Sequence, residues 1–104
     1  MYRVTTPTHT LTLPIESSDC AIIQVAYQQG TTTLMKVYDD GIVPEGMTID
    51  GNKVIVRLTQ AETKAFKKGK VNLQIRVLTN GGDAYASEKF AVAVLDVINE
   101  DILV

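Results

Sequence analysis

Hydrophobic and polar residues alternate most regularly between Lys53 and Leu95. Four apolar residues in this segment are separated by polar ones: Val71, Leu73, Ile75 and Val77. This period of two predicts a half-buried strand with one face in the core. The β-branched run from Lys53 to Leu58 predicts another strand. Asn80-Gly81-Gly82-Asp83 predicts a hairpin turn, because Asn and Gly adopt positive φ at low cost, and we expect residues 84–95 to return as the partner strand.

A short helix is predicted between these strands, at about residues 60–67. Thr59 and Glu62 have the spacing of a capping box, which marks a helix start. Residues from Gln60 to Phe66 are mostly good helix formers and span about two turns. Lys67-Lys68-Gly69-Lys70 is expected to end the helix, since Gly tolerates the left-handed cap and lysines suit the negative end of the helix dipole.

The N-terminal half contains further strand patterns. A short first strand is predicted from Tyr2 to Thr6, with Pro7 ending it or placing it at a sheet edge. The segment from His9 to Ile15 alternates, with three apolar residues on one face: Leu11, Leu13 and Ile15. Pro14 predicts that this strand is an edge strand or contains a bulge.

Three more strands are predicted before Lys53. Cys20 to Gln28 forms one, with its odd-numbered residues expected in the core, and Thr32 to Tyr38 pairs back on it after a Gly-containing turn. Met47 to Ile49 precedes Asp50-Gly51-Asn52, a strong hairpin signal that leads into the strand starting at Lys53.

Together these patterns give seven or eight short strands with turns every 8–12 residues and one short helix. This spacing predicts an all-β, immunoglobulin-like antiparallel β-sandwich, and the length predicts a single domain over residues 1–104. The helical link between Leu58 and Val71 is expected to cross from one sheet to the other, and the final hairpin is expected to belong to one sheet.

Composition and charge narrow the possible functions. The net charge is −2, and a basic stripe interleaved with aromatics, as nucleic-acid binding requires, is missing. No apolar run is long enough to span a bilayer, and the N-terminus lacks a secretory h-region. A single cysteine, Cys20, agrees with a reducing compartment. We therefore expect a cytosolic protein that binds neither nucleic acid nor membrane.

No group of residues predicts catalysis or metal binding. His9 and Cys20 occur once each and cannot build a zinc site, and Cys20 has only His9 as a candidate base. Four acidic residues flank Gly-containing turns without the spacing of an EF-hand loop, and turn geometry favours them there: Asp39, Asp40, Glu45 and Asp50. We therefore expect no enzyme activity and no cofactor.

The segment from Val97 to Val104 is apolar with acidic residues between. Two hypotheses stay open for it: it closes the core as a last strand or short helix, or it is exposed and pairs with another subunit. The interface residues that we predict lie in this segment and in the Pro14-containing edge strand: Ile98, Ile102, Leu103, Leu11 and Leu13. A free strand edge can template the addition of another strand.

Several motifs together resemble a known family. They are Leu58-Thr59-Gln60-Ala61-Glu62-Thr63, Phe66-Lys67-Lys68-Gly69-Lys70, the strand containing Gln74-Ile75-Arg76, and Gly81-Gly82-Asp83-Ala84-Tyr85-Ala86-Ser87. This combination is similar to small structural proteins of tailed bacteriophages and prophages of Gram-positive bacteria, including the N-terminal domains of upper baseplate proteins. The resemblance covers about 40 of the 104 residues, and its motifs are structural rather than catalytic.

The resemblance implies a β-sandwich that attaches to other virion proteins, assembles in the bacterial cytoplasm and resides in the virion. Because the sequence ends at Val104 without an appended receptor-binding module, the expectation is a tail or baseplate adaptor or accessory subunit. Its expected partners are other phage structural proteins or further copies of itself.

Two alternatives remain. One is a head decoration or head–tail protein. The other is a cell-surface or carbohydrate-binding β-sandwich module, which would need a cluster of exposed tyrosines chosen from Tyr2, Tyr27, Tyr38 and Tyr85.

Overall fold

The computed structural model describes all residues from Met1 to Val104 and consists of two antiparallel sheets. The first sheet contains three strands in the order β1 (Thr8–Thr12), β5 (Lys53–Arg57) and β4 (Met47–Asp50). The second contains five. β3 (Thr32–Asp39), β2 (Cys20–Gln29) and β6 (Gly69–Thr79) are neighbours, and β7 (Ala84–Ala86) and β8 (Phe90–Val94) both pair with β6. The prediction of an all-β sandwich is confirmed.

The connections alternate between the sheets as they do in an immunoglobulin-like sandwich. The hairpins β2–β3, β4–β5 and β6–β7 stay within one sheet, whereas the links before β2, β4 and β6 cross between sheets. In the immunoglobulin pattern of strands A, B, E and D, the strands β1, β5 and β4 take the places of B, E and D. The helical link does cross between the sheets, as predicted.

One hydrophobic core lies between the sheets. It contains 15 buried residues: Leu13, Cys20, Ile23, Val25, Tyr27, Met47, Val54, Val56, Leu58, Phe66, Val71, Leu73, Ile75, Val77 and Val94. The predicted core faces of β2 and β6 are therefore confirmed. β2 departs from simple alternation at its start, where a register shift between Cys20 and Ile22 buries Cys20 and leaves Ala21 only half-buried.

The predicted capping box is present at the start of α1 (Gln60–Lys64). The Glu62 N–H donates to Thr59 Oγ1 at 3.1 Å, and the Thr59 N–H donates to Glu62 Oε1 at 2.9 Å. The predicted end of the helix is wrong, because the chain turns Phe66 into the core, where its side chain is fully buried. Gly69 has a φ of 137° at the start of β6 and does not cap the helix.

Arg3 contacts the last carbonyls of the helical link instead of the predicted lysines. Its guanidinium donates to the carbonyls of Lys64, at 3.0 Å, and Phe66. The same group also contacts Asp96 and Glu100. The N-terminal segment therefore satisfies the free carbonyls that a helix end leaves.

The predicted strand from Tyr2 to Thr6 is wrong. Only one parallel bridge forms there, between Tyr2 and Leu95. The chain then turns at Val4, whose φ of 56° lies outside the extended region. The segment is fixed by the Thr63 hydroxyl, which accepts from the Thr5 N–H and donates to the Thr5 carbonyl.

The predicted strand from Ala84 to Leu95 is divided into β7 and β8. The interruption lies at Ser87, whose N–H donates to the Ile75 carbonyl while its Oγ accepts from the Ile75 N–H. Because the Ser87 side chain takes the place of one backbone acceptor, the strand leaves the regular ladder and resumes at Phe90.

The predicted strand from His9 to Ile15 was too long at its C-terminal end. β1 ends at Thr12, so Pro14 follows the strand rather than lying in it. β1 is nevertheless an edge strand, since β5 is its single partner in the sheet.

Residues 97–104 form neither a last strand nor a helix. The hypothesis that this segment closes the core is therefore wrong. It runs instead along the surface beside α1, where the Gln60 side chain donates to and accepts from the Leu103 backbone, both at 2.8 Å.

Candidate interaction surfaces

The lone histidine and the lone cysteine are not placed for joint chemistry. Cys20 is buried in the core, and its Sγ lies 3.7 Å from the Glu16 carbonyl oxygen. His9 lies on β1, where its Nδ1 is 2.8 Å from the hydroxyl of the buried Tyr27. Burial raises the pKa of the Cys20 thiol, which favours the unreactive protonated form. The geometry therefore makes His9 the hydrogen-bond partner of a core tyrosine.

Burial also sets the protonation of the His9–Tyr27 pair. It lowers the pKa of His9, with a further contribution from the N-terminal ammonium group. It raises the pKa of Tyr27, and the nearby Glu62 carboxylate acts in the same direction. Both side chains are therefore held in their neutral forms, in which one hydrogen bond satisfies both.

The acidic residues do not form a cluster in the fold. No group of three or more His, Cys, Asp and Glu side chains is close enough to hold a metal ion. Glu62 is paired with Lys36 of β3, at 2.6 Å between Oε2 and Nζ, and both side chains are largely buried. Burial alone would raise the pKa of Glu62, but hydrogen bonds from Lys36 and Thr59 outweigh it and lower the pKa below its ordinary value.

This ion pair lies in a surface groove of about 710 Å³ beside α1. Its walls come from β3, β5, α1 and the loop before β4, and Ile102 from the C-terminal segment enters it. The Lys36 ammonium also donates to the Glu45 carbonyl at 3.2 Å. Because the two largely buried charged groups of the groove, Lys36 and Glu62, are paired with each other, we interpret the groove as a packing contact between the two sheets.

The predicted interface residues are found in three different environments. Ile98 and Leu103 are exposed, by 108% and 78%. Ile102 is 44% exposed and packs into the groove beside α1. Leu11 is half-buried against the core, and Leu13 is 2% exposed and belongs to the core. The structure therefore corrects the placement of Leu13, which is not a surface residue.

A second groove opens where the edges of the two sheets meet, between β1 and the strands β7 and β8. Two adjoining cavities of about 400 and 490 Å³ form it and share Thr12, Ile75 and Ser87 in their walls. Leu11 and Phe90 line one cavity, and Tyr85 lines the other. The free edge of β1 borders this groove, as the prediction of an edge strand implies.

The most unusual surface is the outer face of the five-stranded sheet, which we call the five-stranded face. Its apolar members come from all five strands: Ile22, Ala26, Met35, Val37, Leu78, Ala84, Ala86, Ala91 and Ala93. Its neutral polar members are Gln24, Gln28, Thr33, Asn72 and Gln74. Charged groups occur at three positions, and two of these, Asp39 and Lys70, lie at its ends; the third is Arg76.

The outer face of the three-stranded sheet provides an internal comparison. It is mostly polar, as expected of a solvated sheet surface, and Ile55 is its one apolar residue. Its other members are Thr8, Thr10, Thr12, Thr48, Asp50, Lys53 and Arg57. Antiparallel sheets usually place such polar residues outward. The outer faces of the two sheets therefore differ in composition, and the more apolar five-stranded face is the candidate contact surface.

Sequence reasoning missed this surface for a specific reason. Alternation identified which residues of each strand point outward, but not which strands are neighbours. The apolar residues Ile22, Leu78 and Val37 become one patch only through the strand order β3–β2–β6. A usable signal was the presence of Ile22 and Leu78 on the predicted outward sides of their strands.

The tyrosines do not form one platform. Tyr27 is fully buried, and Tyr38 packs against the core. Tyr2 bridges Leu95, whereas Tyr85 pairs with Val77 near the other end of β6. The two positions along β6 are about 26 Å apart, because eight residues separate Gly69 from Val77 and a strand rises about 3.3 Å per residue. The cluster of three exposed tyrosines that a carbohydrate-binding surface would need is not formed.

None of the helices in this fold has the length and apolar character needed to cross a membrane. Comparison of the chain with protein-family models, with curated proteins and with solved structures found no match.

Proposed function

We propose that this chain is a non-enzymatic structural protein of a tailed-bacteriophage virion, acting in the tail or baseplate through protein–protein contacts. The observation that carries the proposal is the five-stranded face, a broad surface with apolar side chains at its centre and few charges. Contiguous exposed apolar surface on a globular protein commonly marks an interaction site. Depletion of charge at the centre of the patch is the composition typical of protein interfaces.

The virion assignment is supported by the resemblance of the segment from Leu58 to Ser87 to phage structural proteins. The segment contributes α1, β6 and β7, so the motifs belong to the scaffold and to one side of the proposed contact surface. In this proposal the chain assembles in the bacterial cytoplasm with other phage structural proteins and then resides in the particle.

Detection in purified particles tests the proposal. Particles induced from a lysogen that carries the gene are purified, and the chain is sought by mass spectrometry and by immunogold labelling. We expect the chain in stoichiometric amounts, with label at the tail or baseplate, and a gene flanked by tail genes. Label on the capsid would instead make it a head protein. Particles that lack the chain would contradict a structural role altogether.

A further inference from the structure

The five-stranded face has an internal order that points to one kind of occupant. The strand register divides its three-strand centre into rows across β3, β2 and β6. Asp39, Ile22 and Leu78 form the row at one end. At the other end, Lys70 lies beyond the row of Thr33, Gln28 and Asn72. The middle row is Met35, Ala26 and Gln74, which has no charge and has the small Ala26 at its centre.

The charges of this face are arranged so that the face complements itself. Asp39 lies at one end and Lys70 at the other, with Arg76 one row from the Asp39 end. Asp39 on β3 and Lys70 on β6 lie at diagonally opposite corners of the three-strand centre. A two-fold axis through Ala26, inclined by about 20° to the middle row, exchanges these two corners, so Asp39 of each copy lies over the partner's Lys70. Arg76 is then two strands and one row away from the partner's Lys70, which keeps the like charges apart.

The middle row meets itself in this arrangement. A residue on the axis faces its own counterpart, as two-fold contacts require. Ala26 against Ala26 lets the sheets approach closely, and Met35 fills the space beside it, because its flexible thioether side chain adapts to irregular gaps. No charge is buried at the centre, so the pairing avoids the desolvation penalty of a buried ion there.

The area of the face is sufficient for such a pair. Four strands spaced about 4.8 Å apart make the face about 19 Å wide, and its rows extend over about 26 Å along the strands. The projected area is therefore about 500–600 Å² for each copy. Two copies then bury about 1,000–1,200 Å², which reaches the minimum of about 1,000 Å² for a biological interface and is typical of a weak, reversible pair. Sheets that pack face to face in a sandwich lie about 10 Å apart, so this contact has a common geometry.

We propose that the five-stranded face is the interface of a two-fold homodimer, in which two copies pack sheet against sheet about the row of Met35, Ala26 and Gln74. The proposal rests on the proposed function in that it names the partner of the same surface. It assigns no role in dimerisation to the C-terminal segment, which lies beside α1.

Light scattering coupled to size-exclusion chromatography of the full chain tests the proposal. We expect twice the mass of a single chain, shifting towards one chain on dilution. Ala26→Arg places like charges against each other on the axis and should give a monomer. Thr10→Arg, on the outer face of the three-stranded sheet, is the matched control and should remain a dimer. A monomeric wild-type chain at high concentration, or the same mass for both variants, would overturn the proposal.

Charge exchange tests the register of the dimer. Asp39→Lys and Lys70→Asp should each weaken dimerisation several-fold, and the double variant should recover most of the loss. A double variant that is weaker than either single variant would contradict the two-fold arrangement.

Cross-linking gives a readout that does not depend on a weakened fold. Gln74→Cys places a thiol in the middle row, whereas the natural Cys20 is buried. A bismaleimide that spans the sheet spacing of about 10 Å, which is too long for a disulfide, should give a covalent dimer with Gln74→Cys and none with Thr10→Cys. The absence of a cross-link from Gln74→Cys would contradict packing about this row. If the chain is a monomer but is found in virions, the dimer proposal is wrong and the proposed function stands. If the chain is a dimer but is absent from virions, the dimer proposal stands and the proposed function is wrong.

Discussion

Single polar side chains hold together segments that lie far apart in the sequence. Arg3 contacts the end of the helical link and two acidic residues near the C-terminus. The Gln29 side chain accepts from the Lys67 N–H and donates to the Lys67 carbonyl, both at 2.7 Å. These side chains satisfy backbone groups that the irregular connections leave free. No buried side-chain polar atom lacks a hydrogen-bond partner.

His9 predicts a dependence of stability on pH. Its pKa is lowered in the folded state, so below the ordinary value of 6.5 the unfolded chain binds more protons than the folded chain. The free energy of unfolding therefore falls as the pH is lowered through 6.5 towards the folded pKa, and then levels off. We expect urea denaturation to show lower stability at about pH 5 than at about pH 7.

The matched variant is His9→Gln, which can still hydrogen-bond Tyr27 but does not titrate. Its stability should change less over the same interval. Titration of Glu62 should not affect this comparison. Its pKa is lowered, so its contribution to the free energy of unfolding is lost only at more acidic pH. An equal change in both proteins would show that His9 is not the titrating group.

At the scale of elements, α1 joins the two sheets through contacts on several sides. Its capping box is local, but its attachments are not: Thr63 contacts Thr5, and Glu62 pairs with Lys36. The Lys36 side chain points inward on β3, on the same side as Leu34 and Tyr38, which pack against the core. The crossover is thus held by polar contacts at its start and by Phe66 in the core at its end.

The Lys36–Glu62 pair should contribute a measurable coupling energy. Both side chains are largely buried, at 12% and 19% exposure, so solvent screens their attraction less than at the surface. We expect Lys36→Met and Glu62→Gln each to lower the free energy of unfolding by about 2–3 kcal/mol. The double variant should reveal a coupling of about 1–2 kcal/mol in a double-mutant cycle. If the losses in the free energy of unfolding are additive, the coupling energy is zero and the ion pair itself does not stabilise the fold.

The segment of residues 97–104 is attached to the domain at defined points without joining a sheet. Gln60 holds the Leu103 backbone, Ile102 enters the groove beside α1, and Glu100 contacts Arg3. The side chains of Ile98 and Leu103 point to solvent. The segment therefore remains a candidate contact surface in its own right.

A variant that ends at Asp96 separates the roles of this segment. It removes the two Gln60 hydrogen bonds and the packing of Ile102, so we expect it to fold with about 1–2 kcal/mol less stability by urea denaturation. If the five-stranded face forms the dimer, light scattering should show that this variant has the same oligomeric state as the full chain. Loss of the dimer on truncation would instead identify Ile98, Ile102 and Leu103 as the interface.

At the scale of the whole molecule, one core joins both sheets and the crossover. Tyr27 and Phe66 lie at its centre, with ring centroids 6.4 Å apart, and His9 adds a third ring 5.6 Å from Tyr27. Because the buried faces of both sheets pack against each other in this core, neither sheet has another buried face that would support it alone. We therefore expect the two sheets to unfold together.

Phe66→Leu tests this cooperativity. Removing the fully buried ring should cost about 1–3 kcal/mol, which leaves a folded population to measure. Far-UV circular dichroism and tyrosine fluorescence should give coincident unfolding curves in both the wild type and the variant. Ala61→Leu, at an exposed position on α1, is the control and should change stability little. Separate transitions for the two probes would contradict a single cooperative unit.

The sequence by itself determined the features that depend on neighbours along the chain. The alternation in β2 and β6, the capping box at Thr59 and the turn at Asn80 are local, so backbone geometry and burial of one strand face specify them. Only the tertiary structure decided how the helix ends, where the last strand breaks at Ser87 and where residues 97–104 lie. Each of these depends on a hydrogen bond or packing contact between residues distant in sequence. The five-stranded face belongs to the same class, because its composition results from strand order, which no single segment encodes.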